Sequence, residues 1–173
     1  VTRIRDPHDV LMYLVTGTER ALLVDTGYGV GDLAGFVAGL TDLPVTVALT
    51  HAHVDHAFGA SQFDDVRLNP AELPVLAEHQ VLSTRMHEQV DAAARDATDA
   101  TPKPYLAPAV DPSTLTALVA GDRIDLGGVT VAAFATPGHT PGSLALLVET
   151  DRLLITGDAA NQLTFLFLPE SSS

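Results

Sequence analysis

Apolar residues run through Val10 to Thr16 and again through Ala21 to Asp25, and the polar tetrapeptide Gly17-Thr18-Glu19-Arg20 between them predicts a β-hairpin ending in Asp25-Thr26-Gly27. A helix is predicted over Gly31 to Leu40, followed by a buried strand over Pro44 to Thr50 whose apolar stretch reaches Leu49. Residues 70 to 99 carry a helical spacing (Ala71, Leu73, Val75, Leu76, then Met86, Val90, Ala93, Ala94), with Pro74 expected to break the helix near its start. The Pro-rich span Thr101 to Pro112 reads as a loop or lid, so 70 to 112 forms a helical and Pro-rich insert. From Asp122 the period returns to two: strands are predicted over Arg123 to Leu126, Val129 to Ala135, Leu144 to Thr150 and Arg152 to Thr156, with a Gly127-Gly128 turn. The hairpins ending at Asp25 and Asp158 echo each other faintly, a weak sign because such hairpins are common.

Composition narrows this picture. With 173 residues, 46% of them apolar, and a mean hydropathy of +0.22, the chain has material for one domain, 1–173, with a core. Nine basic residues against 22 acidic ones leave a net charge of −13 and a pI near 4.6, a field that repels nucleic acid and anionic membrane surfaces. The absence of cysteine removes disulfides, thiolate ligands and a cysteine nucleophile together. No apolar run is long enough to cross a bilayer, and Val1 to Asp6 lacks the apolar centre of a signal peptide. A soluble, cytoplasmic protein is the expectation, although a chain starting at Val leaves room for a removed leader.

The candidate chemistry lies at strand ends. Thr50-His51-Ala52-His53-Val54-Asp55-His56 sets four metal-ligand side chains into six residues directly after a predicted strand. Residues two apart on an extended segment point the same way, so His51 and His53 can serve one ion. Asp55 and His56 face elsewhere as the chain turns, which suits a second. Thr136-Pro137-Gly138-His139-Thr140-Pro141-Gly142-Ser143 follows another strand and fixes His139 in a tight turn, and Asp158 ends a further strand. Taken singly, His139 reads equally as a turn histidine and Asp158 as a helix cap; the cluster at 51–56 shifts that balance.

Together these motifs resemble the metallo-β-lactamase superfamily, over roughly residues 10 to 170: an H-x-H-x-D-H run, a later G-H-T-x-G turn and a later Asp at a strand end. The resemblance implies an α/β fold, the four-layer αββα sandwich. It implies two divalent metal ions, zinc first and iron or manganese as alternatives. His51, His53 and His139 would bind one ion, Asp55 and His56 the other, and Asp158 would bridge them. Metal-bound hydroxide would then attack an ester or thioester, with Asp55 orienting it and passing a proton to the leaving group. Asp25 matches a family turn as a support behind the ligands. The carboxylate at Asp158 resembles glyoxalase II, lactonases and related hydrolases, whereas the β-lactamases usually carry Cys or Ser there. Few Lys or Arg residues argue against a glutathione thioester.

One departure stands out: the family pattern has a further His after the bridging Asp, and no His follows His139 here. The chain is therefore expected to lack the final helix and strand of the fold and to have an incomplete second site. His79 and His87 are weighed as substitute ligands but read better as an exposed helix face, and His8 reads as a solvated loop residue. Tyr28 and Tyr105 could line a substrate mouth or pack in the interior; no substrate-binding residue is assigned. Apolar residues Leu163, Phe165, Leu166, Phe167 and Leu168 suggest a surface that pairs with a second copy or a completing chain. The alternatives are a lactonase or β-lactam hydrolase acting on a small-molecule substrate, and a non-catalytic or inactive truncated metal-binding module.

Overall fold

The computed structural model describes residues 1–81 and 107–160. Strands β1 (Thr2–Arg5), β2 (Leu11–Thr16), β3 (Ala21–Val24), β4 (Val45–Ala48), β5 (Val66–Leu68) and β6 (Thr116–Ala117) form one sheet in that order. β1 to β3 are antiparallel neighbours, and β3 to β6 pair in parallel. Strands β7 (Arg123–Asp125), β8 (Thr130–Ala135), β9 (Leu144–Val148) and β10 (Leu153–Ile155) form a second, antiparallel sheet in the order β10-β9-β8-β7.

Side-chain alternation explains the layering. Ala21 and Leu23 of β3, with Met12, Leu14 and Val47, face helices α1 (Leu33–Ala38) and α3 (Leu73–His79) through Leu33, Val37, Val75 and Leu76. The intervening Leu22 and Val24 join Val15 and Ala48 against Val131, Ala133, Leu144, Leu146 and Val148 of the second sheet. β3 is therefore buried on both faces, which is why Ala21 to Val24 is a continuous apolar run rather than an alternating one. On the far side of the second sheet, Phe134 and Leu154 are about half exposed. The described residues thus make three layers, helices, sheet and sheet. The expected outer helical layer, and the surface 163–168 expected to recruit a second copy or a completing chain, lie outside them.

The hairpin, β4 and the four C-terminal strands form close to where the apolar pattern puts them. Helix α1 is shorter than Gly31 to Leu40 because the Asp32 carboxylate caps the Gly35 N–H at its start and Gly39 ends it. Pro74, expected as a break, sits in the first turn of α3, where its missing N–H costs no hydrogen bond. β1, β5 and β6 were not foreseen: β1 is largely exposed, and β5 and β6 span three and two residues, too few to display a period. The helical spacing at Met86, Val90, Ala93 and Ala94 falls outside the described residues. Among the described residues no helix is long and apolar enough to cross a membrane.

Leu146 is fully buried between the sheets, so Leu146→Ala should lower stability in urea by about 2–5 kcal/mol. Phe134→Ala, on the exposed face of the same sheet, should cost well under half as much. Equal losses for the two variants would contradict the layer assignment.

Candidate metal centre

Parallel pairing of β3 and β4 ends both strands at the same edge, where the Asp25 N–H bonds the Ala48 carbonyl at 3.1 Å. That edge carries Asp25 from one strand and Thr50-His51 from the other, as loops at the carboxyl ends of parallel strands usually do. The chain then makes the short helical turn α2 (Val54–Ala57), which turns Asp55 and His56 away from the extended segment. The second sheet reaches the same place. Leu144 N–H bonds the Thr50 carbonyl at 2.9 Å, delivering the β8–β9 turn with His139, while β10 leads into the turn Gly157–Ala160 with Asp158.

Four imidazoles meet there, all at least 95% buried: His51, His53, His56 and His139. The His51 ring lies 4.8 Å from His53, 4.1 Å from His56 and 4.9 Å from His139, centroid to centroid. His139 Nε2 is 2.9 Å from His53 Nδ1. Asp158 reaches both sides of the cluster: Oδ1 is 3.5 Å from His56 Nε2, and Oδ2 is 3.5 Å from His139 Nε2. Asp55 Oδ2 approaches His56 Nε2 at the same 3.5 Å. The spacing brings together two donor sets that could hold an ion, His51–His53–His139 and His51–His56–Asp158. Five of the six residues picked from the sequence fall in these sets, and Asp55 stands beside them against His56.

Behind the donors stands Asp25, buried and in a left-handed backbone conformation at φ +61°. It accepts hydrogen bonds from the Thr50 N–H at 2.8 Å and the Thr50 hydroxyl at 2.8 Å, and its Oδ2 lies 2.8 Å from His56 Nδ1. Thr50 Oγ1 in turn is 3.1 Å from His51 Nδ1. One carboxylate thus orients two imidazoles, His56 directly and His51 through a hydroxyl. Gly157 completes the cradle: at φ +50° a Cβ there would stand 2.5 Å from Thr50 Oγ1.

Burial disfavours the His56 imidazolium, but the charges of Asp55 and Asp25 and hydrogen bonds to Asp158 and Asp25 outweigh it, raising His56 well above the usual imidazole value. His51 moves the other way, lowered by burial and by the neighbouring His56, His53, His139 and His79. For Asp55, burial pushes upward, but the His56 charge and hydrogen bond prevail and bring it to about 2. His51 Nε2 is a buried nitrogen with no hydrogen-bond partner in the structure, aimed among other donor nitrogens. An uncompensated buried polar atom is costly, and a cation at that point would satisfy it. With nitrogen and oxygen donors alone, the set suits a divalent metal.

A cleft of about 380 Å³ opens beside these groups, lined by Tyr13, Asp55, His56, Leu154, Thr156 and Asp158 among others. Some expectations need correction. His79 is half-buried and stacks on His53 at 4.6 Å and 27°, so it does not lie on an exposed helix face. His8 is half-buried edge-on to Tyr28 rather than solvated, and Tyr28 packs in the interior with Val54 and Phe58. His87 and Tyr105 lie outside the described residues. The sequence reading named Thr50 only as the start of the histidine run and missed Glu72, since each acts on the site through hydrogen bonds rather than as a donor.

Residues 5–170 match the family model of the metallo-beta-lactamase superfamily. An acyl-coenzyme A thioesterase of Gallus gallus, MBLAC2, is 31% identical over 159 residues, covering 85% of this chain and 56% of its own length. The chain thus spans little more than half of that relative. Among solved structures, TTHA1623 in a di-iron-bound form superposes with a TM-score of 0.61 at 27% identity over 99% of this chain and 79% of its own. BLEG-1, a B3 metallo-beta-lactamase, gives 0.63 at 23% identity over 98% and 78%, a likeness of fold. Family model, relatives and buried histidine cluster agree: the chain belongs to the metallo-β-lactamase superfamily.

Proposed function

We propose that this protein is a metal-dependent hydrolase that cleaves an ester or thioester bond. The observation that carries the reading is the position of Asp158, whose two carboxylate oxygens each stand 3.5 Å from a different histidine Nε2. A carboxylate reaching both histidines supports the reading that it would serve two cations. In this reading His51, His53 and His139 would hold one divalent ion and Asp55 and His56 the other, with Asp158 placed to serve both. Zinc suits these donors, with iron or manganese as alternatives. When bound, such ions acidify water and polarise the carbonyl under attack.

The chain's own groups do the rest. Asp25 holds its hydrogen bond at His56 Nδ1 and so leaves His56 Nε2 facing Asp55 and Asp158. Asp55, a carboxylate at neutral pH, borders the cleft and would accept the hydrogen bond of the attacking water, take that water's proton as its oxygen bonds to the carbonyl carbon, and pass it to the leaving oxygen or sulfur as the bond to that atom breaks. The thioesterase relative supports a thioester substrate. A second reading, a lactone or small uncharged ester, is favoured by the cleft itself, which among its described lining residues presents Asp9, Asp55 and Asp158 but no Lys or Arg to receive phosphates.

Metal analysis of the full-length protein should find about two divalent ions per chain, and His53→Ala should lose most of that metal together with hydrolysis of all substrates tested. A panel of an acyl-CoA, S-lactoylglutathione, a homoserine lactone, an aryl ester and nitrocefin separates the readings, because each reports a different bond. Turnover that survives exhaustive chelation would overturn the proposal.

The hydrogen-bonded pair also sets a pH dependence in metal-free protein. His56 has a raised folded value, so its contribution to stability is complete below the unfolded imidazole value of about 6.5 and is lost as pH rises through the raised value. Asp25→Asn removes part of that stabilisation. Melting curves in chelator from about pH 6 to about pH 9 should therefore fall less steeply for Asp25→Asn than for wild type. Parallel curves would show that Asp25 does not hold the charge on His56.

A further inference from the structure

The side chain of Glu72 is fully buried, yet it is neither a core residue by chemistry nor a member of either donor set. It arrives there because Asn69 caps a short 3-10 turn over Pro70–Glu72 directly after β5, which folds the chain back beneath the end of β4. Its two oxygens are then divided between two distant loops. Oε2 accepts the Ala52 N–H at 2.8 Å, and Oε1 accepts the Gly142 N–H at 2.7 Å. Ala52 lies between His51 and His53. Gly142 lies in the turn that carries His139, closed on itself by the 2.6 Å contact of Thr140 with Ser143.

We propose that Glu72 is a positioning residue that sets metal affinity by clamping the loop of His51 and His53 to the turn of His139. The proposal rests on the reading of the histidine cluster as a metal centre. Those three imidazoles come from segments more than eighty residues apart, and besides the 2.9 Å approach of His139 to His53 something must hold their backbones in register. A carboxylate can do so because it accepts on both oxygens. An amide of the same size has one acceptor, so one of the two N–H groups would face another donor. A leucine would leave both buried N–H groups unpaired.

The turn is built to receive this carboxylate. A Cβ on Gly142 would stand 2.8 Å from Glu72 Cγ and 2.9 Å from Oε1, so a side chain at that position and the hydrogen bond exclude each other. Burying a charge is expensive, and short charge-assisted bonds to two amides are the compensation visible here. Because both oxygens are engaged by backbone, Glu72 acts through the ligands and does not touch the reacting atoms.

The test compares wild type, Glu72→Gln, Gly142→Ala and, as a control, Glu78→Gln, which alters an exposed residue of the following helix α3. Zinc affinity is read by competition with a chromophoric chelator, and ligand geometry by the visible spectrum of the cobalt-substituted protein. Glu72→Gln should weaken zinc binding by about tenfold to a hundredfold and shift the cobalt bands, with Glu78→Gln unchanged. If Glu72→Gln does not fold, Gly142→Ala, which keeps the carboxylate but forces the turn away from it, decides by the same two readouts. Wild-type affinity and an unaltered cobalt spectrum in the folded variants would overturn the clamp. A wild-type protein that binds no metal would instead remove the metal-centre reading on which the clamp rests.

Discussion

The carboxylate of Asp25 is the contact on which the geometry of the site depends. Parallel strands β3 and β4 end together, and the first residue beyond β3 turns into a left-handed conformation that directs this carboxylate at Thr50 and His56. Without it, the Thr50 N–H and hydroxyl would lose the carboxylate they donate to, and His56 Nδ1 the partner that orients its ring. Strain in one residue is the cost of orienting both, and the buried hydrogen bonds offset it.

Electrostatics follow from the same arrangement. Burial, with the neighbouring His56, His53 and His139 adding to it, keeps His51 neutral more readily than an ordinary histidine. His56 goes the other way because carboxylates of Asp25, Asp55 and Asp158 surround it. Protons and a divalent cation thus compete for the same electron pairs, and an acidic protein with carboxylates around its cleft favours the cation. The same field disfavours nucleic acid and other large anionic partners.

The two sheets explain how residues over one hundred positions apart meet. β4 supplies the His51–His56 run from the first sheet, and β8, β9 and β10 supply His139 and Asp158 from the second. Their packing through Leu22, Val24, Leu144 and Leu146 fixes the distance between these donors, and the Leu144 to Thr50 hydrogen bond pins the two edges together. Interior packing far from the metal centre therefore bears on its geometry, as dense cores transmit displacements with little absorption.

Much of this was legible in the order of residues. Short apolar runs marked β2, β3, β4, β8 and β9, and the dense histidine run marked the site, because periodicity and ligand spacing are local properties. Very short strands such as β5 and β6 were not legible: their residues become strand only through neighbours already in place. Nor were the roles of Glu72 and His79, which share one helical segment but act on loops folded against it from elsewhere. The sequence alone determined the kinds of donor atoms present and the strand ends that carry them. Only tertiary structure decided which donors lie close enough to share a cation, which oxygen faces which ring, and which carboxylate bonds both loops. These depend on angstrom-scale distances between segments that chain connectivity does not set.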